Sequence, residues 1–491
     1  MIPPMATNPI PRFPAGFLWG VSTSAHQIEG AADRREPSVW DTFSAEPGRV
    51  KDGSTAAVAC DHYHRHREDV ALLAGLGVDA YRFSVSWPRV NAPGGLDFYD
   101  RLVDELCAAG VRPVPTLFHW DLPARLDWLE RDTAGRFADH VSVVAERLGD
   151  RVTKWITLNE PAEHTLLGHA LGVHAPGRRL LFDALPAAHH QLLAHGLAVR
   201  ALRAAGAADI GIANSHSPVW PASGEQADIE AAGFYDLLLH RLFADPLLLG
   251  RYPEGLGELM PGAPEDVDSD LKVIAEPLDW YGVNYYAPTR VGAPRGEEIE
   301  FGGLTLPAEL PFSVREIEGR PVTDFGWPVV PEGLTELLTG FRDRYGDRLP
   351  PVVITENGCS YEGLDDQDRI AYLDGHIRAV HRALEAGVDV RGYFVWSLLD
   401  NWEWAEGLAR RFGLVHVDYE TLERTPKASY RWFRDLLRAQ RGAGTAAGAS
   451  PVPDWSRSGV TGVTEAAEKP YGVVTPPSYP GSARPPILVR P

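Results

Sequence analysis

Eight short runs of β-branched and aromatic residues, each followed by an amphipathic stretch of helical period, alternate along this chain. The strand-like runs are FLWGVSTS (17–24), AYRFSVSW (80–87), VRPVPTLFHW (111–120), VTKWITLNE (152–160), DIGIANSH (209–216), LDWYGVNYY (278–286), PVVITEN (351–357) and RGYFVWSL (391–398). Stretches such as REDVALLAGLG, RFADHVSVVAERLG and RIAYLDGHIRAVHRALEAG lie between them. Such a series predicts an α/β fold in which a parallel sheet closes on itself inside a ring of helices, a (β/α)8 barrel of the TIM type. An open doubly wound sheet would usually carry a Gly-rich phosphate loop after an early strand, and neither GxGxxG nor GxxxxGK[ST] is present. The expected organisation is a leader at 1–11, one barrel domain over 12–441, and a disordered Pro/Gly/Ala-rich tail at 442–491. Two long Gly- and Pro-rich connections, 240–277 and 287–330, are expected to pass over the barrel mouth.

Charge and cysteine content narrow the partners. A formal net charge of −20 leaves no basic footprint for nucleic acid or an anionic membrane, and favours a neutral or cationic small molecule. Cys60, Cys107 and Cys359 form an odd, sparse set without CxxC spacing, which reads as buried thiols in a reducing compartment. The N-terminal apolar run FLWGV is too short for a signal or membrane segment, so a cytoplasmic enzyme is expected.

In a barrel of this kind the C-terminal strand ends and the loops after them build the active site. Read off in order, those ends carry Gln27, then Arg82, then His119 and Trp120, then Asn159 and Glu160. Asn284 and Tyr286, Glu356, and finally Trp396 with Glu403 and Trp404 complete the set. Aromatic planes stack on sugar C–H faces, while amides and carboxylates bind hydroxyl pairs. Glu160 and Glu356 close strands 4 and 7, roughly across the mouth from each other, as glycoside hydrolysis requires. Asn-Gly after Glu356 is ordinarily a hairpin signal. With a helical stretch next and a parallel sheet, it is expected instead to turn the chain away from the mouth.

The segments FLWGVSTSAHQIEG, CDHYHRHREDVALLAGLGVDAYRFSVSWPR, FHWDLP, TLNEP, GVNYY, ITENG and GYFVWSLLDNWEWAEGLARRFGLVHVDYETLERTPKAS together resemble glycoside hydrolase family 1, the β-glucosidase family. They occur in the family's order over about residues 12–438. The resemblance implies a retaining β-glycosidase with Glu356 as nucleophile and Glu160 as acid/base. It implies that Arg82 holds Glu356 ionised and oriented, that Tyr286 contacts it, and that Asn284 supports the pair. Asn159 matches the residue at the sugar 2-hydroxyl; Gln27, His119, Trp120, Glu403 and Trp404 match the 3-, 4- and 6-hydroxyl binders. Trp396 matches the platform under the ring, and Phe412 the closure near the 6-hydroxyl. The family's chemistry needs no metal or cofactor; the partner is a small-molecule β-glycoside, with no nucleic acid and no membrane. Glycone preference, aglycone and oligomeric state are left open by the sequence.

Phosphosugar-specific members carry a Ser…Lys-x-Tyr set after a replaced Glu-Trp pair. This chain has Glu403-Trp404 and then Arg410-Arg411-Phe412, and Glu403 is expected to repel a 6-phosphate. Glu160, where thioglucoside-cleaving relatives have Gln, points to O-glycosides. Departures from the pattern lie after Gly30, after Arg89, after FHWDLP, and at Ala162, where an aromatic is common. Together they predict a wider, less aromatic leaving-group site suited to a bulky aglycone. HYHRHRE (62–68) reads as a structural helix start in preference to a zinc site, and Cys359 as an inert thiol in preference to a redox switch. The rivals are a transglycosylase, a silent sugar-binding barrel, which is expected to lack one carboxylate, and a Schiff-base enzyme, whose lysine would have to be Lys154 at the wrong end of strand 4.

Overall fold

The computed structural model describes residues 8–256, 259–261, 264–301 and 304–442. Beyond Gly442, the segment expected to form a tail lies outside the described residues, as does most of the expected leader. Eight parallel strands close a barrel in chain order: β1 (Leu18–Ser22), β2 (Ala80–Ser84), β3 (Arg112–Thr116), β4 (Trp155–Asn159), β5 (Ile210–Ser215), β6 (Trp280–Asn284), β7 (Val352–Asn357) and β8 (Val390–Trp396), which returns to β1. The surrounding helices include α1 (His62–Leu76), α2 (Gly95–Ala108), α3 (Asp132–Leu148), α4 (Leu185–Ala204), α5 (Pro264–Ile274), α6 (Pro331–Tyr345), α7 (Gln367–Glu385) and α8 (Ala428–Arg441).

The barrel interior is packed shut. One side chain from each strand (Leu18, Ala80, Val114, Ile156, Ala213, Trp280, Val353 and Phe394) joins a single buried cluster. Trp280 fits because Gly211 faces it: a Cβ at 211 would lie 2.5 Å from the indole. Lys154 lies under this plug, 3.0 Å from Asp209 and 4.0 Å from the centre of the Trp280 ring, away from the mouth. Alternate strand residues such as Val21, Tyr81, Leu158, Ile212 and Val395 face outward into the larger core shared with the helices.

The connection 240–277 departs from its expected path. It contains helix Leu242–Leu249 as well as α5, and both contact α4 in the outer helical ring. Leu242, Phe243, Leu247, Val267 and Ile274 are buried there, and Asp270 ties α5 to His189 of α4 at 2.9 Å. Apolar burial thus holds as helix a stretch whose Gly and Pro content suggested loop. The connection 287–330 does rise beside the mouth. Its strand Thr289–Gly292 pairs with Val219–Pro221 on one edge and Ser313–Arg315 on the other.

Asn357-Gly358 makes no hairpin. Asn357 Nδ2 donates to Tyr285 O (2.7 Å) and its Oδ1 accepts from Tyr393 Oη (2.5 Å), tying β7 to the strand-6 loop and to β8. Gly358 then passes so close to the end of β8 that an added Cβ would lie 1.7 Å from Trp396 O. Gly358→Ala is therefore expected to destabilise the fold by at least about 2 kcal/mol, because the obstacle is backbone and cannot rotate away. A thermal midpoint equal to that of the unmodified protein would contradict this packing.

The three α1 histidines face separate carboxylates: His62 to Asp69 (2.8 Å), His64 to Asp61 (2.6 Å) and His66 to Glu105 (3.4 Å). No helix among the described residues is long and apolar enough to cross a membrane.

Candidate active site

The strands end earlier than their apolar runs suggest, and the nominated side chains sit on the first turns beyond them. β3 stops at Thr116, so His119 and Trp120 belong to the following loop; β4 stops at Asn159, so Glu160 opens a turn instead of closing a strand. Trp120, Glu160 and Trp404 all have left-handed backbones, with φ of 71°, 45° and 51°. Such conformations cost non-glycine residues about 1–3 kcal/mol each and persist where the surroundings fix them. For Glu160 the fixing is visible: its N–H donates to Ala213 O (2.8 Å), and Pro161 after it bars the right-handed region and starts helix Pro161–Glu163. β7 carries a bulge, since Ile354 pairs with Val283 but Glu356 pairs with Asn284, and the skipped Thr355 re-aims Glu356 toward the axis.

Hydrogen bonds join these side chains into one network. Arg82, fully buried, donates from Nη1 to Glu356 Oε1 (2.5 Å), from Nη2 to Asn159 Oδ1 (2.6 Å), and from Nε to Thr116 Oγ1 (3.1 Å). Tyr286 Oη donates to Glu356 Oε2 at 2.6 Å, so both oxygens of Glu356 are held. Asn284 Nδ2 donates to Glu160 Oε1 (2.8 Å) and to Asn159 Oδ1 (3.0 Å), while Thr355 Oγ1 fixes its carbonyl oxygen (2.6 Å). Asn159 Nδ2 reaches His119 Nε2 at 3.1 Å and Glu160 Oε2 at 3.3 Å. Gln27 Nε2 donates to Glu403 Oε2 at 3.1 Å, and Trp120 Nε1 to Asn159 O at 3.0 Å.

The electrostatics divide the carboxylates. Glu160 is pushed well above the usual carboxylate range by burial, then by the charges of Glu356 and Glu163. Glu356 faces a guanidinium and a phenol that stays protonated, since burial and both carboxylates drive Tyr286 well above 10. A carboxyl group that keeps its proton therefore shares a cavity with an ion-paired carboxylate. Burial, followed by Glu356, pushes Glu403 up to about 8. Burial and the Arg82 charge keep the His119 imidazole neutral. Cys359, three residues beyond Glu356, is buried and its thiol is pushed up to about 12, which leaves it little nucleophilic character.

His119, Trp120, Glu160, Tyr286, Glu356, Trp396, Glu403, Trp404 and Phe412 line one cavity of about 290 Å³. His119 stacks between Trp396 (5.8 Å) and Trp404 (6.0 Å), and Trp120 lies 4.8 Å from Trp404, so the inner end is walled by aromatic planes. Gln27, Arg82, Asn159 and Asn284 are fully buried and bonded directly to the lining residues Glu403, Glu356, His119 and Glu160. The structure thus brings all thirteen nominated residues into one neighbourhood.

The outer end has little signature in the sequence. It is built by the segments after β4, β5 and β6: Glu163, Leu166, Leu167 and Leu171, then Ser215, Tyr235 and Leu239, then Leu306, Leu310, Phe312, Phe325 and Trp327. Among the described residues the shortened loops after β1 and β2 supply no wall, and the loop after β3 supplies only His119 and Trp120. Ala162 is buried against a smaller apolar cavity of about 70 Å³ instead. The trims flank the mouth, whereas the wall comes from the long connections opposite. Phe325 and Trp327 stack at 4.3 Å, and Trp327 lies 5.2 Å from Tyr286; the aromatic-Gly-aromatic stretch Phe325–Trp327 was the available signal.

Over most of its length the chain is similar to known proteins. The family model described as "Glycosyl hydrolase family 1" matches residues 10–442. The chain is 46% identical over 448 residues to the thermostable β-glucosidase B of Thermobispora bispora, covering 87% of this chain and 90% of that one. It is 42% identical over 452 residues to β-glucosidase A of Thermotoga maritima, covering 87% and 98%. Among solved structures, the psychrophilic β-glucosidase of Micrococcus antarcticus superposes with a TM-score of 0.84 at 44% identity, over 88% of this chain and 100% of that one. The T. maritima β-glucosidase in complex with glucoimidazole gives 0.80 at 41%, over 87% and 98%.

Proposed function

The chain belongs to glycosyl hydrolase family 1, a family of O-glycoside hydrolases, and on that premise we propose that it cleaves unphosphorylated β-D-glycosides with net retention through a covalent glycosyl-enzyme. The observation that carries the reading is the asymmetry of the two carboxyl groups: Glu160 holds its proton, while Glu356 is gripped by Arg82 and Tyr286. In the first step Glu356 attacks the anomeric carbon, the bond to the leaving oxygen breaks, and Glu160 gives that oxygen its proton. In the second, Glu160 takes a proton from water as the water oxygen displaces Glu356. Asn159 binds the 2-hydroxyl, Trp396 stacks under the ring, and Gln27, His119, Trp120, Glu403 and Trp404 bind the remaining hydroxyls. Phe412, which packs against Phe325 and Trp327 (6.0 and 6.1 Å), closes the pocket near the 6-hydroxyl, and Asn284 positions Glu160.

The apolar outer wall supports a bulky, largely hydrophobic aglycone, and it also suits an acceptor alcohol in place of water. The free cysteines Cys60, Cys107 and Cys359 support a reducing, cytoplasmic setting. Early product from 4-nitrophenyl β-glucoside, read by proton NMR before mutarotation, is expected to be the β-anomer; the α-anomer would overturn the assignment of Glu356 as nucleophile.

Exclusion of a 6-phosphate has a different basis from the one read in the sequence. Glu403, pushed up to about 8, is largely neutral near pH 7, so charge repulsion by it is weak. Instead, no Lys or Arg among the described residues lines the cavity, and Arg410 is engaged with Glu406 at 3.2 Å. A buried phosphate without a cation is costly. The kcat/KM for 4-nitrophenyl β-glucoside 6-phosphate is expected to fall at least about 10²-fold below that of the unphosphorylated compound. Equal values would contradict this account.

A further inference from the structure

Glu163 is a carboxyl group lining the leaving-group end of the cavity that the reaction scheme leaves unused. It ends the short helix Pro161–Glu163 that Glu160 opens, so the two carboxyl groups stand one helical turn apart and line the same cavity. Leu166, Leu167 and Leu171 on the following segment pack with Leu306 and Leu310 into an apolar part of the same wall, and uncharged polar side chains, Ser215, Ser217, Tyr235 and Thr289, also line the cavity. A carboxyl group placed in such a wall is costly unless it is paired. Its hydrogen bond comes from Ser215 at the end of β5, and no Lys or Arg among the described residues lines the cavity with it. Burial shifts Glu163 upward, and its charge in turn raises both Glu160 and Tyr235, which places it electrostatically within the reaction space.

Glu163 faces the space that a leaving group fills, with no cation among the described lining residues. We propose that Glu163 is a specificity-determining residue that selects leaving groups carrying a protonated amine on an apolar body. This inference rests on the glycosidase reading above and names the aglycone class of that same site. Leucines hold the apolar body, Glu163 receives the ammonium, and Ser215 orients the receiving oxygen. An acidic aglycone would meet Glu163 with no Lys or Arg among the described lining residues to pair with it.

The test compares 4-(aminomethyl)phenyl β-glucoside with 4-ethylphenyl β-glucoside in the unmodified enzyme and in Glu163→Gln. The ratio of the two kcat/KM values, taken within each enzyme, cancels shared chemistry and any general damage. The ratio is expected to fall about tenfold or more in Glu163→Gln, the least that one charge-assisted hydrogen bond contributes. A change confined within twofold would overturn the assignment, because a purely structural Glu163 would depress both substrates alike. The unmodified enzyme offers a second reading, independent of whether the variant folds. Benzylamine is expected to inhibit 4-nitrophenyl β-glucoside hydrolysis with a Ki at least about tenfold below that of benzyl alcohol, and benzoate to be the weakest of the three. Equal Ki values would overturn the proposal. Absence of 4-nitrophenyl β-glucoside turnover would instead remove the glycosidase reading, so the two failures are distinguishable.

Discussion

Glu356→Ala is expected to fold normally and to lose activity on 4-nitrophenyl β-glucoside by on the order of 10⁵-fold in kcat, because the covalent step has lost its nucleophile. Folding is expected to survive for a local reason. Arg82 keeps Thr355 O (3.1 Å), Asn159 Oδ1 (2.6 Å) and Thr116 Oγ1 (3.1 Å) when Glu356 Oε1 is removed. The guanidinium is then a buried cation facing a carboxylate-sized gap, which is a site for a small anion. Azide is expected to enter it, to attack the anomeric carbon from the vacated side, and to release an α-glycosyl azide. Turnover should then rise with azide concentration. A variant that keeps more than about one hundredth of the activity without azide cannot have lost its nucleophile, given the scale of such effects. Formation of a β-glycosyl azide would place the nucleophile elsewhere.

The parts of this site that could be read in the sequence are those fixed by strand order. Asn159, Asn284 and Trp396 terminate their strands, and Arg82 and Glu356 lie within theirs, so counting the alternation was enough to bring them to one end of the barrel. What failed was the position of the last strand residue. Glu160 continues its run without a Gly or Pro before it, and only Leu117 and Phe118 separate His119 and Trp120 from the strand that ends after Pro115, yet the strands end at Thr116 and Asn159. The backbone turns left-handed at Trp120 and at Glu160, held by tertiary bonds that Trp120 Nε1 donates to Asn159 O and Glu160 N–H donates to Ala213 O. Local sequence carries no mark of those bonds. The stretch 240–277 failed differently: Pro246 sits inside a helix that burial of Leu242, Phe243, Leu247 and Leu248 holds in place. Glu163 lies beside Ala162, but only the folded connections after β5 and β6 turn its neighbourhood into a cavity wall.

Glu160→Ala should separate proton donation from nucleophilic attack, and its effect depends on the leaving group. With a poorly departing phenol such as 4-ethylphenol, kcat/KM is expected to fall by about 10³-fold, within the usual range for loss of a general acid. With 2,4-dinitrophenol, which needs no proton to depart, kcat/KM is expected to change by less than about tenfold, because this ratio reports the glycosylation step alone. The pH dependence follows from the same proton. Burial, then the Glu356 and Glu163 charges, raise Glu160, so its acid form is present below that raised value and is lost as pH rises through it. Activity on poor leaving groups therefore falls along an alkaline limb set by Glu160. Glu403, pushed up to about 8, titrates in the same direction and is the one competing assignment within the sugar-binding set. The two part company in variants: Glu160→Ala assayed with the dinitrophenyl glucoside should lose the limb, whereas Glu403→Gln, although impaired in sugar binding, should keep it. If the limb persists in Glu160→Ala and vanishes in Glu403→Gln, the proton that governs departure of the leaving group does not reside on Glu160.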